Sequence, residues 1–385
     1  MKNLIKRTSY SVVVIVFIFS NISFKPISPN EKSKDLLQSE SDEFSFYKKN
    51  SISDGPYIFL ENERVVVKWI QHNELRFKII RKNNYKIIKK KFELEFNPSW
   101  IDDLNNSKNN YTQTFSGVEN LVAVSDVHGQ FDLLIKLLKQ HKVIDNHFNW
   151  AYDDGHLVIL GDVFDRGKHV TEILWLIYKL EQQAKEKGGM VHVMMGNHEL
   201  MVFNNDLRYV HEKYIKSATL MSTTYDQLFT EESFLGKWLK NKPYLVSIND
   251  MLFVHAGVSP ELVEKGLSKE QINKLFINKI VGKDKIDILA DPELSLLRGK
   301  YGPLWYRGYF IKPRLPENEV DKLLKYFQAN HIIVGHTSLP NIISLYHGKV
   351  IGIDSSIKLG DTGEIFIYKN DKFFRGSSNG TLIEL

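Results

Sequence analysis

The pattern of apolar and polar positions changes along the chain and predicts two regions of different architecture. Between residues 54 and 96, the short apolar runs "PYIFL", "RVVVKWI", "LRFKII" and "KFELEF" are separated by turn-forming residues. Such runs predict antiparallel strands. In the last run, Phe92, Leu94 and Phe96 alternate with charged residues, as in a strand with one solvated face. The folded part of the chain is therefore expected to begin with a small β appendage, over residues 51–100.

From about residue 120 onward, strand-like apolar runs alternate with amphipathic helical segments. "NLVAVSD", "HLVILGD" and "MVHVMMG" are predicted as buried strands, and "GQFDLLIKLLKQHKVI" and "HVTEILWLIYKLEQQAKEKGG" have apolar residues at helical spacing. A helix-rich stretch follows from about 199 to 240, and the later strands lie closer together, with hairpin turns at "IND" and "KND". The sequence therefore predicts an α/β fold, with mixed sheets flanked by helices, over residues 115–385.

The N-terminus carries the pattern of an export signal. A basic start, "MKNLIKR", precedes an apolar run centred on Val12–Phe19. Because that run is too short to span a bilayer comfortably, a signal peptide over residues 1–24 is the prediction, and an uncleaved membrane anchor is the alternative. The polar stretch over residues 25–50 predicts a linker. The mature protein is expected in the periplasm or outside the cell, without a stable membrane span.

Composition and charge narrow the class of protein. The 385 residues are 43% hydrophobic and 25% charged, as in an ordinary globular protein. The formal net charge of +5 is small for this length and the lysines are scattered, which argues against a nucleic-acid partner. The "KIIKKK" run predicts the solvated face of a strand, with a docking patch for an anionic partner as the alternative. Since the chain has no cysteine, thiolate metal sites and disulfides are excluded.

Polar residues suited to metal binding follow directly on several of the predicted strands, each beside a glycine. They occur in "SDVHG", "GDVFDRG", "GNHE", "HAG" and "VGH". Because ligands of α/β folds collect where strands end and loops begin, these side chains are expected to meet. Carboxylate, amide and imidazole donors suit Mn, Fe or Zn, and there are more of them than one ion needs. The candidate ligands are Asp126, His128, Asp162, Asn197, His255 and His336.

This donor set points to phosphoester chemistry. A carboxylate that bridges two ions would hold them roughly 3.5–4 Å apart, the spacing with which phosphatases acidify a shared water and clamp phosphoryl oxygens. Arg166 and a second arginine would hold the remaining phosphoryl oxygens in the forked geometry of the guanidinium group. Capping and turn formation explain any one motif, but not all of them in this order.

The ordered motifs "SDVHG", "GDVFDRG", "GNHE", "HAG" and "GH" resemble those of the phosphoprotein phosphatases within the calcineurin-like metallophosphoesterases, over roughly residues 120–360. The segments "DGPYIF" and "PLWYRG" most resemble the bacterial Shewanella-like phosphatase branch. The resemblance implies a calcineurin-like metallophosphatase β-sandwich. It also implies two divalent metal ions, with manganese favoured and iron or zinc as alternatives.

The resemblance implies a role for each candidate residue. The first ion would be bound by Asp126, His128 and Asp162, and the second by Asp162, Asn197, His255 and His336. His198 would protonate the leaving oxygen, and Asp165 would orient that histidine. Arg166 and Arg307 would bind the phosphate. The chain departs from the family at Ser125, where glycine is usual.

Together these implications describe a phosphomonoesterase that attacks in line with a metal-bound hydroxide. The expected substrates are phosphoserine, phosphothreonine or phosphotyrosine in proteins, with phosphotyrosine favoured. The alternative enzyme hydrolyses dinucleotides or other small phosphorylated molecules with the same motifs. A non-catalytic scaffold is a third hypothesis, but such proteins usually lose a ligand or the acid, and every such position is filled here.

Several residues around the motifs have two interpretations. Glu199 is expected to hold the backbone of its motif or to pair with Arg166, rather than to act as a base. Tyr209 is expected either to contact substrate or to pack against a helix. Its neighbours Asp206 and Arg208 are further candidates for substrate contact. An aromatic wall beside the phosphate is expected from residues 305–306, "WY".

Overall fold

A computed structural model describes residues 51–61, 64–81, 85–107 and 111–385 of the chain. These residues form three β-sheets and the helices that connect them. Residues 52–385 form one compact unit. The predicted signal peptide and linker, residues 1–24 and 25–50, lie outside the described residues. The boundary predicted between the β appendage and the catalytic domain stays a prediction.

The first sheet is an antiparallel meander of three strands, as the alternating runs near the start of the folded region predict. Its strands are β1 (Asp54–Glu61), β2 (Arg64–Gln71) and β3 (Glu74–Ile80). Strand β1 is largely buried and β3 is largely exposed. The sheet therefore packs on the rest of the molecule through β1, while its other edge faces solvent.

The fourth strand predicted in this region is wrong. The segment forms α1 (Lys86–Phe92) and an irregular extended stretch before α2 (Ser99–Asn106). Leu94 and Phe96 are nevertheless buried, and the ring of Phe96 packs 5.1 Å from that of Phe234. The alternation thus predicted which side chains are buried. It could not show that an aromatic cluster, rather than a neighbouring strand, covers them.

The lysine run "KIIKKK" lies on α1 and not on a strand, so that prediction is also wrong. Lys89, Lys90 and Lys91 occupy the last turn of the helix and are exposed. Positive charge at this position complements the partial negative charge of a helix C-terminus. The run is a solvated face, as expected, but of a helix.

The other two sheets each have six strands and mixed pairing. The first contains β5 (Asn120–Val124), β6 (His156–Ile159), β7 (Met190–Val193), β13 (Glu364–Lys369), β14 (Lys372–Ser377) and β15 (Leu382–Glu384), in the order β15-β14-β13-β5-β6-β7. The second contains β4 (Thr114–Phe115), β8 (Leu245–Ile248), β9 (Met251–Val254), β10 (His331–Val334), β11 (Ile343–Leu345) and β12 (Val350–Gly352), in the order β11-β12-β10-β9-β8-β4.

These two sheets pack face to face, with helices on their outer faces. Leu121 and Ala123 of β5 belong to an inner apolar cluster with Phe253 of β9, whereas Val122 and Val124 belong to the outer core. Both faces of the central strands are therefore buried, which explains why their sequences are continuously apolar. The predicted α/β sandwich of mixed sheets flanked by helices is confirmed.

Helices connect the strands and cover the sheets. They are α3 (Phe131–Gln140), α4 (Val170–Glu186), α5 (Asn197–Phe203), α6 (Glu212–Leu220), α7 (Phe234–Lys240), α8 (Pro260–Glu264), α9 (Lys269–Leu275), α10 (Lys285–Ala290), α11 (Pro292–Arg298) and α12 (Glu317–Phe327). Short 3₁₀ turns lie at Asp226–Phe229 and Ile357–Leu359, and a π turn at Phe276–Ile280. In the described ranges, no helix combines the length and the apolar character that a membrane crossing requires.

Strand direction determines where the site forms. Strands β5, β6 and β7 run parallel to one another, as do β9 and β10. Parallel strands end at the same edge of a sheet, so the turns that follow them are neighbours. The metal-binding motifs predicted from the sequence lie in these turns or, for "GNHE", at the start of α5, which follows the turn after β7.

Candidate active site

The turns that carry the predicted site residues have unusual backbone conformations. In the turn after β6, Asp162, Asp165 and Arg166 have φ values of 56°, 73° and 64°. Asp126, His128 and His336, in turns after β5 and β10, have φ values of 54°, 45° and 62°. Residues other than glycine rarely adopt this left-handed region of backbone conformation, and such residues concentrate at functional sites. The backbone is therefore in a less favourable conformation at the residues whose side chains are the predicted metal donors.

A glycine and a glutamate bring the turn after β6 against the turn after β7. A Cβ atom on Gly196 would lie 2.2 Å from Asp162 Oδ1, so no larger residue fits without displacing that carboxylate. Glu199 accepts hydrogen bonds from the backbone N–H groups of Asp162 at 2.8 Å, Val163 at 2.7 Å and Gly196 at 2.7 Å. Holding the motif's backbone was one of the two roles expected for Glu199, and the structure shows it.

Asp162 is the centre of a buried donor cluster. Its Oδ2 atom lies 3.4 Å from His255 Nε2, 3.6 Å from His128 Nε2 and 3.9 Å from His198 Nε2. Two groups share this carboxylate: one adds His128 and His198, and the other adds His255 and His336. Within each group, the potential ligand atoms lie within 4.8 Å of one another.

The imidazoles in this cluster are oriented so that their Nε2 atoms face inward. His128 Nδ1 lies 2.7 Å from the carbonyl oxygen of Phe164, and His255 Nδ1 lies 2.8 Å from that of Leu160. Because a carbonyl only accepts hydrogen bonds, Nδ1 carries the proton in both rings, and Nε2 can supply a lone pair. His336 Nε2 is buried without a hydrogen-bond partner among the described residues. This unpartnered nitrogen is available as a metal ligand.

The two remaining predicted ligands lie beside this cluster. Asn197 Oδ1 is 2.9 Å from His255 Nε2. Asp126 lies outside both donor groups, and its Oδ2 atom accepts hydrogen bonds from Ser125 Oγ at 2.5 Å and from His336 N at 2.8 Å. Ser125, where the family usually has glycine, therefore adds a hydrogen bond to a predicted ligand and leaves that ligand in place.

The pKa shifts describe a site that needs positive charge. Burial opposes ionisation of Asp162, yet the imidazoles of His255 and His198 hold its pKa well below the ordinary value. Burial also opposes the charge on His255, but Asp162 raises the pKa of that histidine to about 10. Burial lowers the pKa of His128 to about 3 and that of His336 to about 2. The site thus combines buried carboxylate charge with neutral imidazoles at His128 and His336 and a proton held between His255 and Asp162 that a bound cation would replace.

His198 is linked to a second buried carboxylate. Its Nδ1 atom lies 2.5 Å from Asp165 Oδ2, and its Nε2 atom lies 3.5 Å from Arg166 Nη2. Burial by itself would lower the pKa of His198, but Asp162 and Asp165 raise it above the ordinary value. The ring is therefore held in one orientation and keeps its proton at the wall of the site.

A cavity of about 140 Å³ opens in front of this cluster. Its lining comprises Asp126, His128, Asp162, Arg166, Asn197, His198, Tyr209, Trp305, Arg307, His336 and Lys358. Asp165 and His255 are buried and contact lining residues. The structure thus brings every predicted site residue into or directly behind one cavity; the individual roles remain predictions.

The residues around the motifs divide into those that reach the cavity and those that do not. Tyr209 and Trp305 line it, whereas Tyr306 is not part of the lining. Arg208 is exposed and makes two 2.7 Å hydrogen bonds to the carboxylate of Asp206. Of the three candidates for substrate contact in this segment, Tyr209 is therefore the one that lines the cavity.

Lys358 is a cavity residue that the sequence did not indicate. Its Nζ atom is hydrogen-bonded to Ser338 and lies 4.0 Å from Asp354 Oδ2. No motif surrounds Lys358 in the sequence. It lies in the 3₁₀ turn Ile357–Leu359 after β12, and only the packing of this turn beside the turn after β10 brings it to the site.

Known proteins match both the fold and the motifs. Residues 120–340 match the calcineurin-like phosphoesterase family. The crystal structure of a cold-active protein-tyrosine phosphatase from a psychrophilic Shewanella species superposes with a TM-score of 0.78 and 40% sequence identity, covering 87% of this chain and 100% of that one.

Two relatives known by sequence extend the comparison. Shewanella-like protein phosphatase 2 of Arabidopsis thaliana is 35% identical over 248 residues, which are 52% of this chain and 59% of that one. The symmetrical bis(5'-nucleosyl)-tetraphosphatase of Vibrio parahaemolyticus is 30% identical over 281 residues, 65% of this chain and 96% of that one. The chain thus spans less than two thirds of the plant protein and nearly all of the bacterial one.

Proposed function

The chain belongs to the calcineurin-like phosphoesterase family, and on that premise we propose that it hydrolyses phosphomonoesters on protein side chains, phosphotyrosine in particular. The observation that carries the proposal is the carboxylate of Asp162, which meets the Nε2 atoms of three histidines at the wall of a cavity that also contains Arg166 and Arg307. Carboxylate and imidazole donors facing guanidinium groups suit a phosphoryl group held between metal ions and arginines.

Two divalent ions fit the donor set. The residues proposed to bind them are Asp126, His128 and Asp162 on one side, and Asp162, Asn197, His255 and His336 on the other. The unpartnered Nε2 atom of His336 and the inward Nε2 atom of His128 support this assignment. When bound, the ions acidify the attacking water and neutralise charge on the phosphoryl oxygens. Manganese is proposed because nitrogen and oxygen donors without thiolate suit it.

The protein's own groups then have separate tasks. Arg166 and Arg307 hold phosphoryl oxygens and orient the phosphorus for in-line displacement. After the attacking water has lost a proton to solvent, its oxygen bonds to phosphorus, the P–O bond to the leaving group breaks, and the leaving oxygen takes a proton from His198 Nε2. Asp165, on Nδ1 of the same ring, fixes the tautomer and stabilises the protonated form.

The size of the cavity favours a phosphorylated side chain over a ligand enclosed whole. Its volume of about 140 Å³ is well below the roughly 300–1,000 Å³ of pockets that enclose small molecules. A phosphoryl group enters such a cavity while the rest of the substrate stays at the surface. The likeness to the Shewanella protein-tyrosine phosphatase, which covers 87% of this chain, supports phosphotyrosine among the substrates.

Phosphate release tests this function directly. The purified enzyme is incubated with added Mn²⁺ and with phosphopeptides that carry phosphotyrosine, phosphoserine or phosphothreonine in one sequence. We expect hydrolysis that requires the metal and that is highest on phosphotyrosine. Activity that persists in both Asp162→Asn and His198→Ala, or in the presence of a chelator, contradicts the mechanism.

Hydrolysis of dinucleotides is the second candidate function. The observation that favours it is the 30% identity to the Vibrio tetraphosphatase, of which this chain covers 96%. Measuring kcat/KM on diadenosine tetraphosphate and on the phosphotyrosine peptide separates the two. A higher value on the dinucleotide would replace the protein substrate with a nucleotide one and would leave the metal site unchanged.

We also propose that residues 1–24 direct export. The support is the basic start followed by an apolar run too short for a comfortable membrane span. The test expresses the full chain in a Gram-negative host, separates periplasm, membrane and cytoplasm, and measures the intact mass of the product. Cleavage near residue 24 with recovery in the periplasm or medium is expected, whereas an uncleaved product in the membrane fraction indicates an anchor.

A further inference from the structure

We infer that Tyr209 is a specificity-determining residue, whose ring stacks on the aromatic leaving group of a phosphotyrosine substrate. The inference rests on the proposed function and adds to it the residue that selects aryl over alkyl phosphates. Tyr209 lies in the loop between α5 and α6, lines the cavity, and is 44% exposed. One part of the ring therefore contacts the site while another is open to a substrate.

The position of Tyr209 relative to His198 carries the argument. The two rings lie 5.3 Å apart between centroids, with an interplanar angle of 55°. The oxygen that His198 protonates is the leaving oxygen, so the leaving group begins next to His198 and leaves the cavity past Tyr209. In phosphotyrosine this oxygen is bonded directly to an aromatic ring, which places that ring within the roughly 4.5–7 Å at which aromatic pairs interact. In phosphoserine a methylene group occupies the same place.

Contacts within the protein hold Tyr209 in this position. Its carbonyl oxygen accepts a hydrogen bond from the backbone N–H of Arg166 at 2.9 Å. The guanidinium carbon of Arg166 lies 5.2 Å from the ring centroid, and that of Arg208 lies 5.6 Å from it. A ring fixed before substrate binds loses little entropy when a second ring stacks on it, so its contribution to binding is retained.

Trp305 differs from Tyr209 in its position, because it lies beside the donor group that contains His255 and His336. Its ring packs 5.7 Å from that of His336, on the side that does not include His198. A leaving group that departs beside His198 does not meet this tryptophan. Trp305 is therefore expected to support the phosphoryl group and Arg307, two residues further along the chain, without distinguishing aryl from alkyl substrates.

The experiment compares two peptides that differ only in phosphotyrosine against phosphoserine. Wild type, Tyr209→Leu and Tyr209→Phe are measured, with Tyr326→Leu as a control because Tyr326 is also exposed, at 37%, but lies outside the cavity. For Tyr209→Leu we expect the ratio of kcat/KM on phosphotyrosine to that on phosphoserine to fall about 5- to 10-fold, the value of an aromatic pair. Tyr209→Phe retains most of the ratio, and Tyr326→Leu retains all of it.

Inhibition by inorganic phosphate separates stacking from an indirect effect through Arg166. Phosphate has no leaving group, so Tyr209→Leu should raise its inhibition constant much less than it lowers kcat/KM on the phosphotyrosine peptide. Equal losses on both peptides and on phosphate overturn the inference and make Tyr209 a positioning residue for Arg166. If Trp305→Leu lowers the ratio as much as Tyr209→Leu does, the proposed direction of departure is wrong. A wild-type enzyme that cleaves neither peptide but cleaves dinucleotides overturns the proposed function itself.

Discussion

Histidines within strands β6 and β7 and a histidine beyond the carboxyl end of β7 lie in opposite electrostatic settings. Within the strands, His192 Nε2 lies 2.9 Å from His156 Nδ1, so the two imidazoles pair with each other. Burial lowers the pKa of His192 to about 3 and also lowers that of His156. At the carboxyl end, His198 is also buried, but Asp162 and Asp165 raise its pKa.

The difference shows that burial without a carboxylate partner lowers the pKa of His192, whereas the hydrogen-bonded Asp165 together with Asp162 raises that of His198. The cavity beside His192 is even the larger one, about 350 Å³ against about 140 Å³. Volume therefore does not identify the site in this molecule. The identifying feature is the convergence of carboxylates and imidazoles after the strands, where each parallel strand contributes a turn.

The largest effect on activity is expected from removing the carboxylate of Asp162, which both donor groups share. Asp162→Asn is expected to lower kcat by at least about 10³-fold, because a single oxyanion-stabilising group already contributes about 10²–10³ and this carboxylate also holds the metal donors together. Bound metal per protein should fall in parallel. Kinetics and elemental analysis of the purified variant measure both quantities.

The matched control for this substitution lies within strand β7. His192→Gln replaces a buried histidine that does not line the cavity, and it should keep kcat within about twofold of wild type. If His192→Gln lowers kcat as much as Asp162→Asn does, the contrast between these two settings is wrong.

Removing the proton donor has the next largest effect. His198→Ala should lower kcat about 10²- to 10³-fold on phosphoserine peptide, the usual contribution of general acid catalysis. The loss should be smaller on p-nitrophenyl phosphate, because p-nitrophenolate leaves without needing a proton. Steady-state kinetics on the two substrates measure the difference, and an equal loss on both would assign His198 to metal or phosphate binding.

Removing the carboxylate of Asp165, which supports the proton donor His198, should change the pH profile of activity more than the maximal rate. His198 must be protonated to act, so activity is lost as pH rises through its pKa. Asp165→Asn removes one of the carboxylates that raise this pKa, so the basic limb of kcat/KM should move to lower pH. The profile from pH 5 to 9 measures the shift. A basic limb that does not move, or moves to higher pH, contradicts the assigned pairing.

The smallest effect is expected at the pair of His156 and His192 and concerns stability rather than activity. The folded state keeps His192 neutral down to about pH 3, whereas the unfolded chain protonates it near its ordinary pKa. Stability is therefore lost as pH falls from about 6.5 toward 3, by about 1.4 kcal/mol for each pH unit. Urea unfolding between pH 7 and 4 should show a shallower loss for His192→Gln. An identical loss in both proteins would mean that other groups dominate the acid sensitivity.

Sequence periodicity predicted most of the architecture but failed where the partner of an apolar face was not a strand. The runs that became β1, β2 and β3 were correctly predicted, and so were the alternating strands and helices from β5 to β7. In the segment around Leu94 and Phe96, alternation described burial correctly and secondary structure incorrectly. A period of two reports which side of an extended chain is covered, and does not report whether an aromatic cluster or a strand covers it.

The sequence by itself determined the chemistry of this site, because each donor follows directly on a strand within a short motif whose local structure is encoded by neighbouring residues. Tertiary structure decided which donors lie together. It brought His128, His255 and His198 around Asp162 and left Asp126 beside the two donor groups. It also placed Tyr209 and Lys358 in the cavity. These positions depend on the order of strands and on the packing of two sheets, and such long-range contacts leave no periodic signal along the chain.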